Sequence, residues 1–402
     1  MKKLLKSVLF LWSLAFAFAG YTATRIPDTL YVANGRPVYI NSLPVVTFSR
    51  RGKENTRAVS REGRPVNYTA SFMGLFPLKE VSVTYSQARY VNVSGRPFGI
   101  KMFCDGVLVV GFSDILTSSG YQNPARTAGL EMGDVITKVD GKRVQTNEDV
   151  AAAVEKSGGS VRIEYTRAGK NRSATITPVT DINTKTLRTG MWVRDSGAGI
   201  GTMTFYDEDK GYFSGLGHGI KDVDTHTELP LLSGEIVPVK ITGVVKSKNG
   251  SAGRLKGNFT SVAPSGKVLS NGTTGVYGKS YVTTEQNMMP VASPTQVKTG
   301  KAYILTTING TKPGMYEVQI EKVSLTASDP NKNLVIRVTD QRLLALTGGI
   351  VAGMSGSPII QDGYLVGAVT HVFVNQVERG YGIFASNMLA TLDSVYLREN
   401  AA

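Results

Sequence analysis

Between residues 185 and 392 the chain is built from short β-branched runs separated by glycine, with very little helical period. Gly201–Tyr206, Val237–Val244, Ala302–Thr307, Tyr316–Val323 and Leu365–Val372 are examples. Short strands with turn signals between them predict a β-barrel or sandwich. Glycine supplies 44 of 402 residues, which fits a strand-and-turn protein better than a helix bundle. Hydrophobic residues at 41% and charged residues at 19% provide a substantial core and exclude wholesale disorder. At ~150 residues per domain, a chain of this length predicts two or three domains. Cys104 is the sole cysteine, so no intramolecular disulfide forms, and with three histidines a structural zinc site is not expected. No metal or cofactor is predicted.

The N-terminus sets the compartment. Lys2, Lys3 and Lys6 precede the apolar run Val8–Gly20, 13 residues that are short for a bilayer span. Residues 1–21 therefore read as an export signal peptide or a retained membrane anchor. Ala15-Phe16-Ala17 and Ala17-Phe18-Ala19 both offer the small-x-small pattern that cleavage needs. The remainder is expected to work outside the cytoplasmic membrane. Net charge is +14, and residues 1–90 carry 13 Lys/Arg against 4 Asp/Glu. The densest stretch, Arg50–Arg64, reads as a solvated basic arm. It lacks the interleaved aromatics of an RNA-binding surface, so no nucleic-acid partner is expected. Residues 22–91 form a β-rich N-terminal region, in which LFPLKEVSVTY (75–85) ends with the alternation of a half-buried strand.

Residues 92–180 have a different rhythm. Strands are predicted at Phe98–Met102 and Gly106–Val110, and a helix at Asn147–Lys156, capped by Asn147, with Val150, Ala153 and Val154 on one face. Strands at Val161–Tyr165 and Ala174–Thr177 close the module. This order, with the A-G-L-x-x-G-D-V-I run at 128–136, resembles a PDZ domain. Such domains take a peptide as an added strand and hold its terminal carboxylate on backbone amides. The positions matching that loop are Pro97, Phe98, Gly99 and Ile100. Cys104, between the two strands, is read as a small buried hydrophobe without chemistry.

Two glycine-rich motifs carry the candidate chemistry. Phe213-Ser214-Gly215-Leu216-Gly217-His218-Gly219-Ile220 encloses a histidine, and Gly353-Met354-Ser355-Gly356-Ser357-Pro358 encloses a serine. A serine in such a turn leaves its hydroxyl uncovered, and the N–H groups of Gly353 and Ser355 are placed to form an oxyanion hole. A histidine elsewhere takes the serine proton, and a carboxylate orients that histidine. Asp222 and Asp224 follow His218 closely enough to compete for this last role. His226 and His371 are read as structural, His371 with the further option of lining the substrate site. Gly197-Ala198-Gly199-Ile200-Gly201 leads into a strand, which removes it as a dinucleotide fingerprint.

The serine motif resembles the nucleophile turn of trypsin-like serine peptidases. With the export signal, the PDZ-like module, GLGHGI and VTDQRLLALTGGIVAGMSGSPII, nearly the whole chain resembles the SpoIVB peptidase family of sporulation signalling. The resemblance implies His218 as general base, Ser355 as nucleophile and Asp340 as the acid. Asp340 lies only 15 residues before Ser355, closer than trypsin-like enzymes place it. Met354 stands where those enzymes carry the aspartate that pairs with a new N-terminus, so zymogen activation by that route is not expected. The predicted organisation is mainly β: signal or anchor helix (1–21), β-rich region (22–91), PDZ domain (92–180) and a trypsin-like β-barrel peptidase domain (185–402). The family implies a self-cleaving enzyme, exported into the space between forespore and mother-cell membranes. There it cuts the extracytoplasmic part of a membrane-bound regulator of a sigma-factor-processing metalloprotease, and its PDZ groove takes peptide termini. Two other readings remain open: a non-catalytic PDZ envelope adaptor, and an HtrA-like quality-control peptidase, although that family usually places its PDZ after the peptidase.

Overall fold

The computed structural model describes residues 2–33, 36–50, 65–261, 263–282 and 287–401. All of the basic Arg50–Arg64 stretch except Arg50 itself lies outside these residues. Helix α1 (Lys2–Thr24) leads into strands β1 (Thr29–Ala33), β2 (Val46–Arg50), β3 (Val66–Phe72) and β4 (Phe76–Ser86), arranged as a sheet in the order β1-β4-β3-β2. The alternation read at residues 75–85 is real, because Val81 and Val83 point inward against Ile26, Leu30 and Ile40. Trp12 and Phe18 of α1 rest their rings edge-on against Phe76 and Phe72. No helix among the described residues is long and apolar enough to cross a membrane.

After β5 (Tyr90–Val93) comes β6 (Pro97–Phe112), a strand that serves two bodies. Its second half packs into the PDZ-like module, with α2 (Pro124–Thr127), β7 (Val135–Val139), α3 (Asn147–Lys156), β8 (Val161–Arg167) and β9 (Lys170–Ile176). Val107, Val109, Ile136, Val150, Val154 and Ile163 share that core. The residues 147–156 are helical as predicted, but the cap is Thr146. Its hydroxyl accepts from Asp149 N while the Asp149 carboxylate accepts from Thr146 N, closing a capping box.

The first half of β6 belongs to a barrel. After β10 (Leu187–Arg188), that barrel is completed by β11 (Met191–Asp207), β12 (Tyr212–Gly215), β13 (Leu231–Val245), β14 (Gly266–Gly272) and β15 (Gly275–Ser280). The ring runs β6-β13-β14-β15-β12-β11 and closes because β6 pairs with both β13 and β11. A second closed barrel holds β16 (Gly300–Thr306), β17 (Gly314–Val323), β18 (Leu334–Val338), β19 (Pro358–Gln361), β20 (Tyr364–Phe373) and β21 (Gln376–Phe384). Helix α4 (Gln341–Thr347) links β18 to the serine turn, and α5 (Ala385–Asn400) packs Met388, Leu392 and Val395 between the barrels. Two antiparallel barrels side by side are the trypsin-like architecture.

This arrangement corrects the peptide loop expected at Pro97–Ile100. Those residues form no loop. They are buried in β6, where Phe98, Gly99 and Ile100 face β11 on one side and β13 on the other. A Cβ on Gly99 would sit 2.4 Å from the Phe259 ring, so the glycine admits close packing inside the barrel. Residues 92–180 are therefore not one unit. The PDZ-like module is inserted in the hairpin between the barrel strands β6 and β11.

Candidate active site

The two motifs meet in the cleft between the barrels. Leu216 and Gly217 both take positive φ after β12, and this sharp turn presents His218. From the second barrel, the Ser355 turn approaches so closely that a Cβ on Gly356 would fall 2.4 Å from Leu216 N. His218 Nδ1 lies 2.8 Å from the carbonyl oxygen of Gly219. A carbonyl can only accept, so the neutral ring carries its proton on Nδ1 and leaves the Nε2 lone pair free. That is the tautomer a general base needs, here set by a backbone carbonyl rather than by a carboxylate.

The serine turn is organised around its amides. Met354, Gly356 and Ser357 donate theirs to Val351, Val369 and Met354 carbonyls. Among the described residues, the N–H groups of Gly353 and Ser355 have no protein acceptor. These are the two amides expected to form the oxyanion hole. Gly353 holds φ +101, a conformation that L side chains rarely adopt. Met354 is fully buried in the core of the second barrel, which accounts for an apolar residue before the serine. The Ser355 hydroxyl donates to the Thr370 carbonyl at 2.8 Å, so a rotation about its side chain is needed to engage His218.

The aspartates lie elsewhere. Asp340 is not brought to His218. Its carboxylate pairs with Arg342 at 2.7 Å, accepts from the amides of Glu317 and Arg342, and caps α4. The reason is topological. The turn before β18 reaches the cleft through Asp329 and Asn331, and the strand then runs away from it. Seven residues of extended chain from Asn333 carry Asp340 roughly 20 Å further. Arg342 keeps the Asp340 carboxyl far below the usual range despite some opposing burial. Asp222 and Asp224 both pair with Arg194 of β11, and Asp222 also caps its own turn. Neither touches His218.

Asp340 thus acts by fixing α4, the helix that delivers the chain to the serine turn. Asp340→Ser, which retains a capping oxygen, is expected to keep kcat within ~10-fold, whereas loss of a triad acid costs ~10^4-fold. Asp340→Ala is expected to cost about 1 kcal/mol of stability through the lost cap. Steady-state rates and thermal melts on both variants check this.

A cavity of about 550 Å³ opens over His218, lined also by Lys221, Asp329, Lys332, His371 and Tyr381. His371, read from the sequence as structural with lining as a further option, faces His218 with ring centroids 4.6 Å apart. Burial pushes the His371 pKa down to about 4, with His218 and Lys221 adding to the effect and Asp329 opposing it. Burial likewise lowers His218; the Gly219 carbonyl opposes this and Lys221 adds to it. A lowered pKa keeps the His218 imidazole neutral below its ordinary range near 6.5, as a general base requires. The acidic limb of kcat/KM is therefore expected below that value. Lys221 disfavours the imidazolium, so Lys221→Met should move the limb to higher pH, read from initial rates across the acid range.

Comparison with known proteins decides the family. Residues 185–389, just over half of the chain, match the SpoIVB peptidase S55 family, and residues 114–177 match the PDZ domain. The chain belongs to the SpoIVB peptidase family. It is a serine peptidase carrying a PDZ domain. The PDZ match begins after β6, in agreement with the insertion described above. The magnetosome formation protease MamE of Paramagnetospirillum magneticum is 34% identical over 110 residues, which is 27% of this chain and 14% of MamE. This peptidase thus matches only about a seventh of the length of that relative. Among solved structures, the PDZ domain of the SdrC-like protein of Listeria monocytogenes is 26% identical, covering 22% of this chain and 87% of that one at TM-score 0.18. The active form of the Rv3671c protease of M. tuberculosis is 14% identical, covering 61% of this chain and 85% of that one at TM-score 0.28.

Proposed function

We propose that this peptidase is an exported, self-cleaving endopeptidase of sporulation signalling, with Ser355 as nucleophile and His218 as general base. What carries the reading is the pair of unspent amides at Gly353 and Ser355 beside a histidine whose Nε2 is free. In the reaction, Ser355 Oγ attacks the substrate carbonyl carbon while its proton passes to His218 Nε2. The C=O electrons move to the oxygen, which the Gly353 and Ser355 amides stabilise. Collapse expels the amine, which takes the proton from His218, and a water repeats the sequence on the acyl-enzyme. A positive n-region and apolar run at the N-terminus support export, and the resemblance to the SpoIVB family supports the space between forespore and mother-cell membranes as its destination. Family membership supports, as substrate, the extracytoplasmic part of a membrane-bound regulator of a sigma-factor-processing metalloprotease.

The chain lacking residues 1–21 and its Ser355→Ala copy, followed over time by intact-mass spectrometry, test the reading. Shortening of the parent alone is the expected result and maps the cut sites. If both stay whole, self-cleavage is refuted and the adaptor reading gains; equal shortening of both identifies a contaminating protease.

A further inference from the structure

The tip of the β3–β4 hairpin is at odds with its own turn chemistry. Met73 and Gly74 both take positive φ, +50 and +75, and Leu75 N–H donates to the Phe72 carbonyl at 3.0 Å. A hairpin turn of this hand favours Asn-Gly or Asp-Gly, because a short polar side chain tolerates the left-handed conformation. Here a methionine takes that place, inside the unbroken apolar run from Phe72 to Leu78. Met73, Leu75 and Phe76 are 64%, 75% and 45% exposed. Backbone strain and apolar exposure coincide at this turn, and cover for the tip is what offsets them.

The neighbouring helix identifies the cover. Trp12 meets Phe76 and Phe18 meets Phe72 with ring centroids 6.3 and 5.8 Å apart. A groove of about 290 Å³ between α1 and the hairpin has only apolar lining, Phe16, Pro77 and Leu78 among it. Along α1, Leu9, Phe10, Trp12, Leu14, Phe16 and Phe18 are all half-exposed or more. At ~3.6 residues per turn these side chains lie all round the helix. A docked protein covers one side of a helix, whereas hydrocarbon covers every side. The hairpin tip lies against the middle of this apolar run, so it enters the same medium.

Charge selects the lipid. Neither α1 nor the hairpin from Val66 to Lys79 contains an acidic residue, and residues 1–90 carry 13 Lys/Arg against 4 Asp/Glu. Anionic head groups attract such a segment. The sheet behind the tip is also fastened to the peptidase. Arg25 Nη2 donates to the Val323 carbonyl at 3.1 Å, and Asn41 N–H to the Thr295 carbonyl at 2.8 Å. Leu325, which follows β17, packs into the core of that sheet. The tip therefore projects from a fixed platform on the barrel that carries Ser355.

We propose that the β3–β4 tip, Met73–Phe76, inserts into an anionic bilayer beside α1 as a second membrane contact. The inference is independent of which residues catalyse. The test uses the full chain with Ser355→Ala and with Cys104→Ala, which removes the sole cysteine, a buried one. A nitrobenzoxadiazole label is placed at Leu75→Cys or, as control, at Ser86→Cys on the exposed far end of β4. Vesicles of phosphatidylcholine with about one-third phosphatidylglycerol supply the anionic surface. Blue-shifted, several-fold brighter emission from position 75, quenched by lipids with a nitroxide on the acyl chain, is the expected result. Position 86 should not change. A tip label that stays in water on vesicle-bound protein overturns the insertion, as does failure to bind vesicles at all. Equal affinity for phosphatidylcholine alone overturns the charge selection.

The double variant Met73→Asn/Leu75→Gln separates insertion from folding. Asparagine suits the left-handed position, so the melting temperature should not fall, while vesicle affinity drops roughly tenfold or more. Unchanged affinity would remove the tip from the membrane contact. A dimer formed without vesicles, and dissolved by this variant, would assign the tip to a second copy of the chain instead.

Discussion

Ser355→Ala is expected to slow hydrolysis of a quenched peptide substrate by ~10^4-fold or more, with His218→Ala nearly as damaging. In the proposed mechanism the two residues act as a unit, because the serine is a weak nucleophile without a base and the base has no other proton to take. The double variant should therefore be no slower than the worse single one, a non-additivity that separates a catalytic pair from two residues that merely support the fold. A residual rate above the uncatalysed reaction should survive in all three, supplied by the Gly353 and Ser355 amides, which neither substitution removes. Folding should change little. Ser355 loses one hydrogen bond to the Thr370 carbonyl, worth about 1 kcal/mol. Independent losses that multiply in the double variant would show that His218 and Ser355 do not share a proton.

The turns that carry His218 and Ser355 were legible in the sequence because their backbone geometry is local. Glycines at 215, 217, 353 and 356 announce backbone that turns sharply and packs closely, whatever the surrounding fold. Asp340 carries no comparable local signal. Whether a carboxylate after a strand meets the histidine depends on which end of the strand faces the cleft, and that is fixed by the barrel ring. A run of D-x-R before a leucine-rich segment equally predicts a helix cap, which is the role the structure gives it.

The same limit explains the misread loop at Pro97–Ile100. A glycine between apolar residues at the head of a strand has one appearance in sequence and two physical causes, a ligand amide or a neighbour's side chain. Phe259, more than 150 residues away, supplies the second. The insertion of the PDZ domain into a barrel hairpin is likewise invisible locally, since only the pairing of β6 with β11 and β13 reveals it. Helix α5, by contrast, carried a readable signal. Met388, Leu389, Leu392 and Val395 have helical spacing, and the strand-rich character of the preceding residues obscured it.

Gly356→Ala is expected to damage both folding and activity, the activity beyond what the stability loss explains. Gly356 holds φ +91, and its missing Cβ would lie 2.0 Å from Thr202 O and 2.4 Å from Leu216 N. Both obstacles are backbone of the first barrel, so no side chain can rotate away. The left-handed conformation alone costs about 1–3 kcal/mol for a residue with a side chain, and the clash adds to it. Relief requires the Ser355 turn to back away from the His218 turn. That lengthens the path the proton must take and loosens the Thr202 bonds that hold Gly353 and Ser355. A misplacement of about 1 Å at a reacting pair is enough to cost ~10^2-fold in rate. Gly363→Ala is the matched control. It also lies in the second barrel at positive φ, +80, but no atom stands within 4 Å of its would-be Cβ. It should show the conformational strain in a thermal melt, with kcat unchanged. If Gly356→Ala behaves like Gly363→Ala, the contact between the two turns does not set the catalytic geometry.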